Sequence, residues 1–279
     1  MGAEEGYKKR NMEAWNELAP KYHRRWANRV DGPLQSTASL IRDVGIAEGD
    51  AVLDVACGTG FVTRMLVPAV GDSGLVVGAD ASASAIRIAR RGNRKALFVN
   101  ADAENLSFAR RFDAVTCQYA LFFFPDAPRA LRGMRRSLKA SGRMGIVVHG
   151  GRDRVPYYGA IFDAAAKHIP DYIPEGTPQL DRYSTSDKLG AEVRRAGFSE
   201  VSVRERTFQY SPGTFEDYWR GYLRYVAKPI REKIDALGRA RRREFVEEVR
   251  RNAEPYADRD SGGGVITFPW QVLILTAMR

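Results

Sequence analysis

Cysteine and histidine are scarce in this chain of 279 residues, which carries two of the first and three of the second. Cys57 and Cys117 are too few for a disulfide scaffold and show no paired metal spacing, so reduced thiols in a cytoplasmic protein are expected and no structural metal. Long apolar runs are missing as well. No segment approaches the ~18 uninterrupted apolar residues of a membrane span, and the opening stretch "MGAEEGYKKRNMEAWNELAPKYHRRW" has no apolar core of the kind a signal peptide needs. Neither an internal repeat nor a low-complexity segment is present. Hydrophobic residues at 44% and charged residues at 28% exclude a disordered or collagen-like chain.

Acidic residues are the scarcer sign: 34 Asp and Glu stand against 44 Lys and Arg, a net charge of +10. That excess favours a polyanionic partner or an anionic surface, but it is scattered along the chain. Its densest run, "GRARRREF" around Arg239 to Arg243, is followed at once by Glu244, Glu247 and Glu248, the pattern of a solvated helix face. A nucleic-acid partner therefore stays an alternative to a small-molecule one, and a homodimer is left open.

What is present is an alternation. A helix is expected over 11–28, where Trp15, Leu18, Tyr22 and Trp26 make one stripe, and a second over 34–44, ending near Gly45. Strands and helices then follow in turn. "AVLDVAC" leads to a helix over 61–70, "LVVGAD" to a helix over 83–91, and "ALFVNAD" to a short loop. "FDAVTCQYAL" precedes a helix over 127–138, and "RMGIVVHG" ends the series. Such alternation predicts crossovers that build a parallel sheet. Residues 152–185 carry four prolines and several tyrosines and read as an excursion over the sheet. A helix over 186–196, the strand "EVSVRERTFQY", further helices over 213–256 and the closing strand "GVITFPWQVLILTAMR" complete the order. The last two strands are expected to pair antiparallel, with the closing one at a sheet edge where Pro269 is tolerated.

Chemistry begins at "VLDVACGTG". A strand that ends in Asp54 and passes through Gly58 and Gly60 into a helix puts bare backbone at the C-terminal edge of a parallel sheet, where α/β folds bind ligands. Thr63 stands where a dinucleotide loop would have its third glycine, and Phe61 where a phosphate loop would have lysine. Asp54 is unhelpful beside a pyrophosphate and useful beside an ammonium group. The loop thus suits a ligand that is cationic at one end.

These residues resemble the class I S-adenosylmethionine-dependent methyltransferases, in the methyltransferase type 11 branch that includes the ubiquinone/menaquinone-biosynthesis enzymes. The likeness covers residues 11–150 strongly and the closing strand pair weakly, with Ala56 where many relatives place a first glycine. It implies S-adenosylmethionine as cofactor and S-adenosylhomocysteine as product. It also implies a single α/β domain over 1–279, with a Rossmann-like, seven-stranded, mostly parallel sheet and an antiparallel last strand. A helical cap (1–45), a cofactor-binding core (46–150) and helical lid insertions (152–185 and 212–258) make up that domain. By the resemblance, Asp80 with Ala81 holds the ribose, Asp102 with Ala103 meets the adenine, Gln118 lies beneath the methionine moiety, and Tyr22 of the leading helix contacts the cofactor.

The reaction implied is methyl transfer to a small aromatic or hydrophobic metabolite, with oxygen ahead of carbon and nitrogen as acceptor; an RNA methyltransferase and an inactive cofactor-binding homologue are the alternatives. A methyl sulfonium is already activated, so alignment and exclusion of water do most of the work, and a general base is needed only for a protonated nucleophile. His149, after the strand "MGIVVH", is the first candidate base and His23 the second. His168 reads as lid surface. Cys57 and Cys117 read as small packing residues. Tyr157, Tyr158, Phe162, Tyr172 and Tyr183 form one aromatic group over the sheet, and Phe215, Tyr218, Trp219, Tyr222, Tyr225 and Val226 a second on one helical face. Most of them read as packing, and the remainder as the wall of a pocket.

Overall fold

In a computed structural model of the chain, which describes residues 3–26, 31–173, 177–179, 181–225, 228–258 and 264–279, the alternation becomes one seven-stranded sheet covered on both faces. The chain opens with α1 (Ala3–Trp26) and, after a 3-10 turn (Gly32–Gln35), α2 (Ser36–Val44). Five strands then alternate with three helices: β1 (Ala51–Val55), α3 (Phe61–Val70), β2 (Leu75–Asp80), α4 (Ala83–Gly92), β3 (Leu97–Asn100), β4 (Phe112–Gln118), α5 (Ala127–Ser137) and β5 (Leu138–His149), with only a 3-10 turn between β3 and β4. Then come α6 (Pro156–His168), α7 (Ser186–Arg195), β6 (Ser199–Gly213), α8 (Phe215–Tyr225), α9 (Lys228–Asp235), α10 (Arg239–Ala253) and β7 (Ile266–Met278). The strand order is β3-β2-β1-β4-β5-β7-β6; all neighbours are parallel except those of β7, which runs antiparallel to both β5 and β6.

Local chemistry explains the element ends. Ser82, Asp126 and Thr185 each accept a backbone N–H of the helix that follows, and Gly45 closes α2 in the left-handed conformation at φ 71°. One difference from expectation is the start of α1, eight residues before Asn11. Its first turns carry Tyr7, which is buried, and Lys8, which pairs with acids of the sheet edge, so tertiary contacts extend a helix whose own apolar stripe starts later. The expected end at Asn28, like Val226 of the second aromatic stripe, lies outside the described residues.

The second difference is the place of the closing strand. β7 is an inner strand and β6 is the edge, contrary to the edge position expected for the C-terminal segment. Burial gives the reason: Val272 to Leu275 are at most 1% exposed, whereas Arg204, Glu205 and Arg206 of β6 point into solvent. Pro269 is tolerated because it pairs with Gln209 of β6 beyond the end of β5, whose pairing stops at His149 with Val272.

One core, built from α2, α3, α6, α8 and α10, lies on one face of the sheet, and a second, built from α5 and α7, lies on the other. Each buries aliphatic side chains that drive the layers together. The two helical excursions also pack on each other: Tyr218 of α8 donates to the Tyr157 carbonyl at 2.6 Å, and Lys167 of α6 pairs with Glu248 of α10. In the basic run, Arg239, Arg241 and Arg243 are exposed and Arg242 pairs with Asp235, the solvated face expected of it; further along α10, Arg250 pairs with Glu216 and Glu247, and Arg251 with Glu248. Among the described residues no helix is long and apolar enough to cross a membrane.

Candidate functional site

The polar half of the sheet edge is made by β1, β2 and β3. After Val55 the backbone turns through three left-handed residues, Ala56 (φ 56°), Gly58 (φ 55°) and Gly60 (φ 85°). Gly60 needs both its φ and its lack of a side chain, since a Cβ there would stand 3.1 Å from Cβ of Ala89. Gly58 differs: a Cβ built on it meets nothing within 4 Å, so its bare face opens onto free space. Asp80 stitches this loop to the next one. Its two oxygens accept the Gly58 N–H and the Ser82 N–H, each at 2.8 Å, while Ala81 beside it is exposed. Burial raises the Asp80 carboxyl, and the two N–H donors oppose the rise.

Asp54, expected beside an ammonium group, is enclosed instead. It is 1% exposed, and its oxygens accept the hydroxyls of Thr63 at 2.6 Å and Thr116 at 3.0 Å. Burial pushes its carboxyl up to about 6 against those hydrogen bonds. The threonine in place of a third glycine therefore has a task, tying α3 to β1 through Asp54. Cys57 and Cys117 are both buried beside it and pack as expected.

Asp102 faces the leading helix. It accepts Nζ of Lys8 at 2.7 Å, the Glu104 N–H at 3.0 Å and Nδ2 of Asn105 at 2.8 Å, with Ala103 buried at the start of the turn that follows. Burial works to raise this carboxyl, but Lys8 and the Glu104 N–H outweigh it and hold it below the usual range. Two turns further along α1, Oδ1 of Asn16 accepts the Ser82 hydroxyl at 2.8 Å and the Ser84 N–H at 3.1 Å. Lys8 and Asn16 thus moor α1 across the ends of β2 and β3. Neither was legible beforehand, because a lysine and an asparagine on a polar helix face carry no periodic signal.

The other half, at the ends of β4, β5 and β7, is aromatic. Gln118 is buried and donates Nε2 to the Thr37 hydroxyl at 2.8 Å. Tyr119, which follows it, is left-handed at φ 57° and donates its hydroxyl to the Pro33 carbonyl at 2.6 Å. Its ring stacks on the His149 imidazole, centroids 4.3 Å apart and planes 10° off parallel. Phe122, Tyr158 and Trp270 complete a cage at 5.4 to 5.5 Å from that imidazole. Trp270 also donates its indole Nε1–H to Nδ1 of His149 at 3.0 Å. Burial pushes the imidazole pKa down to about 3. The candidate base therefore has its lone pair engaged and little proton affinity left, which corrects its assignment as the proton acceptor.

Tyr158 of α6, edge-on to His149 at 5.5 Å and to Tyr157 at 5.2 Å, is held well above the usual phenol range by burial and by the neighbouring phenols of Tyr22, Tyr119, Tyr210 and Tyr222. Among the described residues the hydroxyls of Tyr22, Tyr158 and Tyr222 have no hydrogen-bond partner, and none is a sealed, unpaired atom. Burial raises all three, Tyr22 to about 12, so they stand as neutral donors. Tyr22 also packs edge-on to Trp15, at 5.7 Å. Phe215 and Tyr218 are core residues, as read, and the side chain of Tyr225 lies outside the described residues. His23, the second candidate base, sits apart from this cage in contact terms. Its Nδ1 is buried without a partner, and burial together with Arg64 of α3 lowers its pKa. His168 is half-buried at the end of α6, edge-on to Phe245 at 6.1 Å. No cluster of metal-ligating side chains occurs among the described residues.

Residues 52–142, which include the glycine loop, match the methyltransferase domain family. The chain is 28% identical over 211 residues to the demethylmenaquinone methyltransferase of Staphylococcus saprophyticus, covering 69% of this chain and 84% of that one. It is 37% identical over 186 residues to the ubiquinone/menaquinone biosynthesis C-methyltransferase UbiE of Ectopseudomonas mendocina, covering 58% of this chain and 70% of the relative. Among solved structures, the YcgJ protein of Bacillus subtilis superposes with a TM-score of 0.55 at 19% identity, over 88% of this chain and 98% of that one, a likeness of fold. The free face of Gly58, the exposed Ala81 and carboxylates in place of phosphate-binding lysines fit S-adenosylmethionine. With more than two thirds of a 37% identical relative spanned by this chain and the loop chemistry in agreement, the chain belongs to the class I S-adenosylmethionine-dependent methyltransferases and resembles their ubiquinone/menaquinone-biosynthesis branch.

Proposed function

We propose that this enzyme methylates a ring carbon of a small, quinol-type aromatic molecule. The observation that carries the reading is the juxtaposition of a polar loop edge with an aromatic cage, in which Tyr119, Phe122, Tyr158 and Trp270 surround His149. Such a place suits a flat, hydroxylated ring, with the rings around His149 contributing no charge of their own. The names of the two relatives point to the same substrate class, and one of them names carbon as the acceptor. Oxygen, the acceptor favoured by an imidazole base, loses that support because Trp270 occupies the lone pair.

Bound S-adenosylmethionine would supply an electrophilic methyl carbon. For this chain's own part, Asp80 and Ala81 would meet the ribose and Asp102 and Ala103 the adenine. Ala56, Gly58 and Gly60 would let the methionine portion approach the backbone. Gln118 and Tyr22 would border it, and Asp54 would hold the loop in shape from behind. The insertions 152–185 and 212–258 would cover the acceptor and exclude water, with 1–45 closing over the cofactor.

The test is direct. Calorimetric titration with S-adenosylmethionine, S-adenosylhomocysteine and, as control, NAD is expected to show binding of the first two alone. Turnover is then followed with benzoquinols and naphthoquinols, simple phenols, amines and tRNA, locating the new methyl group by NMR. A ring-methylated quinol is the expected product; turnover of tRNA or amines with none of any quinol would refute the reading.

A further inference from the structure

Trp270 and His149 are 121 residues apart, yet the one hydrogen bond between them decides what the imidazole can do. An indole nitrogen is a donor only, so the nitrogen that receives it, Nδ1, must carry a lone pair, and the proton of the neutral ring must sit on Nε2. Among the described residues nothing else hydrogen-bonds to the imidazole, and Nε2 is not a sealed, unpaired atom. The residue as a whole is partly buried. The ring cannot turn freely to present its other nitrogen, because Tyr119 lies flat on one face while Phe122 and Tyr158 crowd it.

We propose that Trp270 locks His149 as its Nε2–H tautomer, and that this neutral N–H donates a hydrogen bond to an oxygen of the acceptor ring, holding it for methyl transfer. This rests on the quinol reading above. In that arrangement His149 grips the acceptor as a donor and takes no proton from it. The acceptor hydroxyl gives its proton to water, and the ring carbon bonds the methyl carbon as the methyl–sulfur bond breaks and S-adenosylhomocysteine leaves. That ring carbon then loses its proton to water while the ring oxygen regains one, restoring the aromatic hydroxyl. A donor on the oxygen stabilises the negative charge that develops there as the ring becomes nucleophilic.

The surroundings agree with a group that stays neutral. The side chains facing His149 are Tyr119 after β4, Phe122 of the turn that follows, Tyr158 of α6 and Trp270 of β7, and Tyr158 in turn faces Tyr22, Tyr210 and Tyr222. None of these brings a carboxylate that would stabilise an imidazolium. Burial depresses the imidazole pKa in the same direction. The nearest cation placed on these phenols is Arg25, which donates to the Tyr210 hydroxyl at 3.0 Å and would further disfavour a positive ring.

Two measurements test the proposal. The first is long-range proton–nitrogen NMR of the purified enzyme labelled with 15N-histidine, which reads tautomer without turnover. The His149 pattern is expected to be that of Nε2–H and to hold across roughly pH 5 to 8, where an ordinary histidine titrates. In Trp270→Phe the lock is gone, and His149 is expected to show mixed tautomers or to titrate within that range. An Nδ1–H pattern, or titration of His149 near its ordinary value in the unaltered enzyme, overturns the proposal.

The second is a comparison of His149→Gln, which keeps an N–H donor, with His149→Phe, which does not. Glutamine is expected to retain kcat/KM for a quinol to within about tenfold, and phenylalanine to lose about a hundredfold or more, the scale of one missing oxyanion donor. Glutamine as inactive as phenylalanine, with S-adenosylhomocysteine affinity unchanged in both, means a base and overturns the donor role. The quinol reading fails separately, by absence of turnover in the unaltered enzyme, whatever tautomer the NMR shows.

Discussion

At the ends of β1 and β2 most partners are near in the chain, Thr116 on Asp54 and Asn16 on Ser82 excepted. Asp80 takes the N–H of Ser82 two residues on and that of Gly58 twenty-two back, and Asp54 takes the Thr63 hydroxyl nine residues on. At the ends of β4 and β5 the partners are remote: His149 is held by Trp270 at a separation of 121 residues, and Tyr119 by Pro33 at 86. The first half is made of backbone amides, hydroxyls and carboxylates and can be written as a short motif. The second is made of rings gathered from α6, α8, β6 and β7, and no motif contains it. On the proposed reading, a shared cofactor edge and a private acceptor cage would vary independently, as when one fold serves many substrates.

Mutations separate the halves, beginning with the largest expected effect. The Asp54 carboxyl is raised from 3.8 to about 6, so the folded state holds its proton more tightly than the unfolded one. The resulting stability is complete below about pH 4 and is lost as pH rises through about 6. Asp54→Asn removes that dependence. The stability difference between variant and parent, from denaturant unfolding at a series of pH values, is expected to swing toward the variant by on the order of 3 kcal/mol between those limits. A flat difference would mean that the carboxylate is better solvated than its enclosure implies.

Asp80→Ala orphans the N–H groups of Gly58 and Ser82 and should weaken S-adenosylmethionine binding by about 1 to 3 kcal/mol in a calorimetric titration. If acceptor affinity fell equally, the two halves would be one unit. Lys8→Ala and Asn16→Ala unmoor α1. Because Lys8 is a third exposed, each is expected to cost no more than about 1 kcal/mol of cofactor affinity, with faster amide exchange along α1 as the sharper readout. Ala56→Gly relieves a left-handed residue and, after the added freedom of glycine in the unfolded chain, should move stability by less than about 1 kcal/mol in the stabilising direction. A loss there would show that the Ala56 methyl packs against something the loop needs.

The strand–helix order, the element ends at Ser82 and Gly45 and the carboxylates at three strand ends were all readable in advance. They follow from periodicity, capping and glycine conformation, which act over a few residues. The inner place of β7 was readable in principle, because "VLIL" is continuously apolar while "RERTFQ" carries three charges in its first three residues. Its alternation and Pro269 suggested an edge, and only the pairing past the end of β5 reconciles them. Asp54 misled for a related reason: a carboxylate at a strand end is reactive or structural according to whether two hydroxyls reach it, and Thr116 comes from a different strand.

The sequence by itself determined the strand–helix order and the glycine loop, because each depends on local backbone preference and short-range hydrogen bonds. Only the tertiary structure decided that Lys8 and Asn16 moor the first helix, that Tyr119, Phe122, Tyr158 and Trp270 gather around one imidazole, and that His149 gives up its lone pair to Trp270. Those outcomes depend on which distant surfaces meet once the apolar faces are buried, and a hydrogen bond across 121 residues leaves no period in the chain to read.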